Sequence, residues 1–153
     1  MGAGYALKCP KCDFTHTYQL GIGYLFPMDY ENTVQNAKEG GLGNELKSFF
    51  AENPYGAIDA EYVLLCCSEC GSYETRKDLT MYLPTKRNRE DIPRCVTRDE
   101  LKLYYTVYQK FPHRCEKCGG SMSIVRKGRE IREKLLCPNC RSVLENDFEM
   151  CWD

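Results

Sequence analysis

Four Cys-x-x-Cys pairs divide the chain: Cys9/Cys12, Cys67/Cys70, Cys115/Cys118 and Cys137/Cys140. A tight turn between two thiols three residues apart points both sulfurs to one side, so each pair offers half of a tetrahedral metal shell. Eight such thiols are enough for two complete four-sulfur sites. Eighteen residues separate the third pair from the fourth, within the usual spacing of a four-cysteine zinc site. The simplest grouping is therefore consecutive, with Cys9, Cys12, Cys67 and Cys70 on one ion and Cys115, Cys118, Cys137 and Cys140 on the other. A cross-brace in which the first and third pairs share an ion is the alternative. Cys66 competes with Cys67 beside Cys70, and Cys67 is preferred because it recreates the Cys-x-x-Cys turn.

The rest of the composition sets the chemistry these thiols see. The chain has 153 residues and eleven cysteines, a length for one mid-sized domain or two small ones. No apolar run follows a basic region at the N-terminus, where Met1–Lys8 is short and soon reaches Cys9, so no signal peptide is expected, and no apolar run is long enough to span a bilayer. These features predict a cytoplasmic chain in which paired thiols bind metal rather than each other. Cys66, Cys95 and Cys151 are then left as small buried hydrophobes. The net charge of −1 hides an asymmetry: residues 1–75 carry four basic against ten acidic side chains, and residues 76–153 carry 17 against 12. Two four-thiolate zinc sites would add about −2 each.

Along the chain, Tyr5–Lys8 and Phe14–Leu20 read as strands flanking the first knuckle, and Ala60–Cys66 delivers the second. Between them the composition turns helical. Asp29 caps a helix that Gly40 ends, and Asn44 caps another over Glu45–Glu52. Residues 84–94 are polar, charged and bracketed by prolines, the best linker candidate. After them, Thr97–Glu100 fits a helical capping box. Leu101, Leu103, Tyr105 and Val107 also alternate, and that alternation favours a strand into the third knuckle. Ser121–Val125 and Glu133–Leu136 are expected to form a hairpin, with Phe148 and Trp152 of the tail packing back. The predicted fold is α+β, small and metal-stabilised. It comprises two β lobes, 1–83 with a helical insertion over about 28–53 and 95–153 with a C-terminal tail.

These residues resemble the zinc-ribbon (rubredoxin-like) class, in which two knuckles of the form Cys-Pro-x-Cys-Gly clasp one zinc. Cys9-Pro10-Lys11-Cys12 and Cys137-Pro138-Asn139-Cys140 keep the proline. Cys67-Ser68-Glu69-Cys70-Gly71 and Cys115-Glu116-Lys117-Cys118-Gly119 keep the glycine. The arrangement also looks like that of small uncharacterised bacterial zinc-ribbon proteins, and the resemblance implies no reaction. Rubredoxin-like iron would use the same ligands and imply electron transfer. No Ser-His-Asp set or phosphate-binding loop is present, and the two histidines, His16 and His113, leave few general bases. The expected function is a non-enzymatic zinc protein, its two ions structural, supporting a protein-interaction module. The aromatics of the insertion, Tyr24, Phe26, Tyr30, Phe49 and Phe50, are the candidate surface. The alternative is a nucleic-acid-binding module that meets phosphates through Lys86, Arg87, Arg89, Arg94, Arg98, Arg126, Lys127, Arg129 and Arg132, with Tyr104, Tyr105 and Tyr108 stacking on bases.

Overall fold

Strands enter or leave all four cysteine turns, and the pairing of those strands decides which turns meet. The computed structural model describes residues 2–85, 94–127 and 134–152. The elements are β1 (Gly2–Lys8), β2 (Thr15–Leu20), α1 (Phe26–Glu39), α2 (Asn44–Glu52), β3 (Ala57–Ile58) and β4 (Tyr62–Cys67). They continue with β5 (Tyr73–Lys77), β6 (Met81–Pro84), α3 (Arg98–Tyr104), β7 (Tyr105–Gln109), β8 (Met122–Lys127) and β9 (Glu145–Trp152). Two compact units are interleaved along the chain, Met1–Gly23, Tyr62–Lys77 and Pro112–Asp153 in one, Tyr24–Glu61 and Asp78–Phe111 in the other. They are not the consecutive lobes expected from a boundary at 84–94, and most of that expected linker (86–93) lies outside the described residues.

The first unit holds two antiparallel sheets of the same design, ordered β2-β1-β9 and β5-β4-β8. In each, a strand enters a cysteine turn, a second returns from it, and a third from much later in the chain pairs with the first strand's other edge. The register Lys8↔Glu145 brings the start of β9 to the first turn, and Cys67↔Met122 brings the start of β8 to the second. The expected hairpin after the third knuckle is absent among the described residues: β8 pairs with β4, and Leu136 bridges Val143.

Two small cores support these sheets. One is formed by Leu7, Tyr18, Leu20, Leu64, Tyr73, Cys137 and Leu144. The other is formed by Val63, Leu65, Cys67, Cys115 and Met122. Period-two alternation sends successive side chains of β4 to opposite faces, which is why Leu64 and Leu65 belong to different cores.

The second unit packs α1, α2 and α3 with the sheet β3-β6-β7. Helix α1 starts earlier than expected, with Pro27 in its first turn, where a missing N–H costs nothing. It ends as predicted at Gly40, which takes the left-handed conformation (φ 92°) and returns its N–H to Ala37 O. Helix α2 begins one residue before its predicted start, with Gly43 rather than Asn44 at the N-cap. The ambiguous segment after residue 97 resolves into both readings in series. The capping box forms, with Thr97 N donating to Glu100 Oε2 at 2.8 Å, and drives Arg98–Tyr104 into a helix. The alternating Tyr105–Gln109 follows as strand β7. The strand expected over the whole segment is thus corrected: local capping outweighs β-propensity for about two helical turns. No helix among the described residues is long and apolar enough to cross a membrane.

Candidate metal centres

Backbone hydrogen bonds build the same turn four times. The N–H of the first cysteine donates to the carbonyl five residues on: Cys9 to Phe14 (3.0 Å), Cys67 to Ser72 (2.9 Å), Cys115 to Gly120 (2.9 Å) and Cys137 to Ser142 (2.8 Å). In the last three, the residue after the second cysteine donates back to the first cysteine's carbonyl: Gly71 to Cys67 O, Gly119 to Cys115 O and Arg141 to Cys137 O. That residue must turn left-handed, with φ 72° at Gly71, 74° at Gly119 and 65° at Arg141. Glycine suits the first two, while Arg141 carries a side chain there against the usual preference.

The turns meet in two groups of four thiols, Cys9, Cys12, Cys137 and Cys140 in one and Cys67, Cys70, Cys115 and Cys118 in the other. Within each group all four Sγ atoms lie within 4.8 Å of one another. This corrects the consecutive grouping, and it is not the first-with-third cross-brace either. The first pair joins the fourth and the second joins the third, so one centre is nested inside the other along the chain. All eight expected metal ligands are placed in these groups. Cys66 is excluded because β-alternation turns it away from the metal side, toward Gly71 O at 3.8 Å. Neither histidine belongs to a group.

The sulfur spacing fits a tetrahedral ion. Nearest Sγ–Sγ distances are 3.4 Å for Cys9–Cys140 and 3.5 Å for Cys12–Cys137. In the other group they are 3.5 Å for Cys67–Cys118 and 3.6 Å for Cys70–Cys115. A zinc–sulfur bond of about 2.3 Å implies a tetrahedron edge of about 3.8 Å, whereas a disulfide needs about 2.05 Å. All eleven cysteines are free thiols. Amide donors surround the sulfurs, as thiolates require: Lys11 N to Cys9, Glu69 N to Cys67 and Gly120 N to Cys118, each at 3.4 Å.

The protonation pattern repeats between the groups. Hydrogen bonds from the Ser72 side chain and backbone hold the Cys70 thiol down to about 6, and Ser142 does the same for Cys140. The backbone at Phe14 lowers Cys12, but burial and its three neighbouring thiols outweigh it and push the group up to about 12. At Cys118 the backbone at Gly120 is likewise overridden by Cys67, Cys70, burial and Cys115, again to about 12. Four thiols this close cannot all ionise without a cation between them. Metal uptake must therefore displace protons.

A phenol ties the outer centre's fourth knuckle to the inner sheet. Tyr73 Oη donates to Leu136 O (2.8 Å) and accepts from Leu136 N (3.1 Å), one residue before Cys137. Tyr73→Phe is expected to cost about 1–3 kcal/mol by leaving both backbone groups unpaired. A lowered urea midpoint with unchanged metal content would show it.

The other predicted site residues fare differently. Arg98 is buried in an ion-pair cluster with Asp59, Glu61 and Asp78, and Arg126 is 4% exposed with its guanidinium 4.7 Å from the Tyr5 ring centre. Neither is a surface phosphate contact, which corrects that expectation for both. Lys127 is half-buried, and Arg94 is exposed. Lys86, Arg87, Arg89, Arg129 and Arg132 lie outside the described residues. Of the insertion's aromatics, Phe26, Tyr30, Phe49 and Phe50 are core, and only Tyr24 is exposed. Tyr105 is buried, while Tyr104 and Tyr108 are exposed. Phe148 is exposed although edge-on to Tyr5. Cys66 and Cys95 are half-buried, and Cys151 is exposed rather than packed away. Sequence reasoning missed the serines that follow two of the knuckles, Ser72 and Ser142, whose shared Cys-x-Ser spacing was the available signal. No protein-family model, curated protein or solved structure matches this chain.

Proposed function

We propose that the chain is a non-enzymatic zinc-binding protein whose two closed four-thiolate ions are structural, each clasped by a zinc-ribbon-like sheet. The observation that carries this reading is the pair of four-sulfur groups with all Sγ atoms within 4.8 Å. Four thiolates fill the tetrahedron and leave no open position for a substrate or an activated water, the arrangement of structural rather than catalytic zinc. Iron would accept the same donors, so elemental analysis is the first test. Two zinc ions per purified chain are expected, and stoichiometric iron would replace this reading with electron transfer.

The role supported is that of a scaffold for a protein partner. Among the described residues strand β7 is an edge of its sheet, and Leu103, Tyr104, Val107 and Tyr108 on and beside it are exposed apolar or aromatic residues. An edge strand of this composition suits an extended partner segment that adds to the sheet. Capture of cell proteins by the metal-loaded chain, compared with a Val107→Lys variant, tests it. Loss of a specific partner in the variant is expected, and equal capture by both would count against it. Fluorescence anisotropy with mixed oligonucleotides at low salt tests the nucleic-acid alternative. Tight, salt-sensitive binding there would displace the protein partner.

A further inference from the structure

Arg126 is a buried cation without an anion. It belongs to β8, is 4% exposed, and has no carboxylate partner among the described residues. Its Nη1 donates to Tyr18 Oη, its Cζ lies 4.7 Å from the Tyr5 ring centre and 5.7 Å from that of Tyr18, and its Nε is buried with no hydrogen-bond partner. Tyr18 cannot supply the missing charge: burial pushes its phenol up to about 12, despite the guanidinium beside it, and it stays neutral. Aromatic faces relieve part of the desolvation of a guanidinium, but a buried charge ordinarily keeps an ionic partner.

The Arg126 side chain also lines a cavity of about 240 Å³. Leu7, Leu135, Val143 and Leu144 make its walls. Lys134 and Asn146 are the other polar groups of the lining. The Asn146 carboxamide oxygen is taken by Tyr18 Oη at 2.8 Å, which leaves its nitrogen, a donor, for whatever occupies the space. Of the three polar side chains in the lining, two are cationic and Asn146 has a donor nitrogen, and the remaining side chains are aliphatic. Water alone would meet the donors but not the charge.

We propose that this cavity binds a small organic anion, a carboxylate carrying a short aliphatic chain, with its oxygens on Arg126, Lys134 and Asn146 and its tail against Leu7, Leu135 and Leu144. At about 240 Å³ the space suits a small ligand such as a short-chain carboxylate. Long acyl chains are too large, and inorganic phosphate would leave the apolar walls unfilled. This site is independent of the protein-partner reading above. It lies beside the strand and turn that carry Cys9 and Cys137, so occupancy should also stabilise the first unit.

The test is calorimetric titration of the metal-loaded full chain with hexanoate, with hexanamide and phosphate as controls. Hexanoate is expected to bind and to raise the melting temperature, while hexanamide, equal in size but uncharged, binds at least tenfold more weakly. Lys134→Glu, a surface change that leaves the fold intact, should weaken hexanoate about tenfold. Arg126→Met should abolish binding while two metal ions are retained. Should Arg126→Met fail to fold, the Lys134→Glu and hexanamide comparisons still decide. No binding of hexanoate to the folded wild type, equal binding of hexanamide, or binding of phosphate alone would each overturn the proposal.

Discussion

Replacing Cys9 and Cys137 together by serine should leave the protein with one tightly held ion, whereas replacing Cys9 and Cys67 together should leave none. The first double change falls within one group of thiols and the second disables both. Consecutive grouping would give the opposite pair of results, so elemental analysis after dialysis against a chelator separates the two arrangements without reference to any structure. The effect on folding is expected to be large. A structural zinc contributes on the order of 10 kcal/mol or more to the small domain it organises, and the cores here have little to replace it. The inner core consists of five buried residues, of which Cys67 and Cys115 themselves belong to the inner four-thiol group. Loss of the inner ion should therefore abolish the protection of amide hydrogens across β4, β5 and β8. Loss of the outer ion should release β1, β2 and β9 first. Retention of full protection in either double variant would show that these sheets stand without their metals, and the reading of the ions as structural would fail.

The ligands were legible from the chain, but their partnership was not. Spacing made Cys115–Cys140 look like one compact site, because a short loop is the cheapest to close. Closure entropy, however, rises only logarithmically with loop length, and the pairing of β8 with β4 and of β9 with β1 outweighs it. A better signal lay in the turns themselves. The two proline knuckles, at Cys9 and Cys137, fall in one four-thiol group, and the two glycine knuckles, at Cys67 and Cys115, fall in the other. Matching knuckle types would have given the nested arrangement. The charge difference between the chain's halves had no structural counterpart, because both units draw on both halves. Arg98 and Arg126 illustrate the general difficulty: a basic residue in a polar stretch is read as surface, and only the fold shows which carboxylates or rings enclose it.

Removal of the Arg98 side chain, as Arg98→Leu, should destabilise the second unit by about 3–5 kcal/mol, because it strands buried carboxylates without their cation. The guanidinium holds Asp59 through two bonds, Nε to Oδ2 at 2.7 Å and Nη2 to Oδ1 at 3.1 Å. It also reaches Glu61 at 3.1 Å and Asp78 at 3.8 Å. Asp59 and Asp78 are essentially inaccessible to solvent, at 1% and 0% exposure. Three acids around one cation leave excess negative charge even in the wild type. Burial accordingly pushes the Asp59 carboxyl up to about 6, with Arg98 opposing the shift and Asp78 adding to it. The sign of the pH dependence follows. The folded chain keeps this proton to about pH 6, while the unfolded chain releases it near 3.8. This group's contribution to stability is thus complete below the unfolded value and is lost as the pH rises through the folded one. Without Arg98 the opposing attraction disappears and the carboxyl rises further, so the loss extends to higher pH. The penalty of Arg98→Leu, measured by urea unfolding against wild type in the same buffers, should therefore grow between pH 5 and pH 8. A penalty that is constant over that range would mean that packing rather than charge explains the loss, and a penalty under about 1 kcal/mol would remove this cluster as a determinant of the fold.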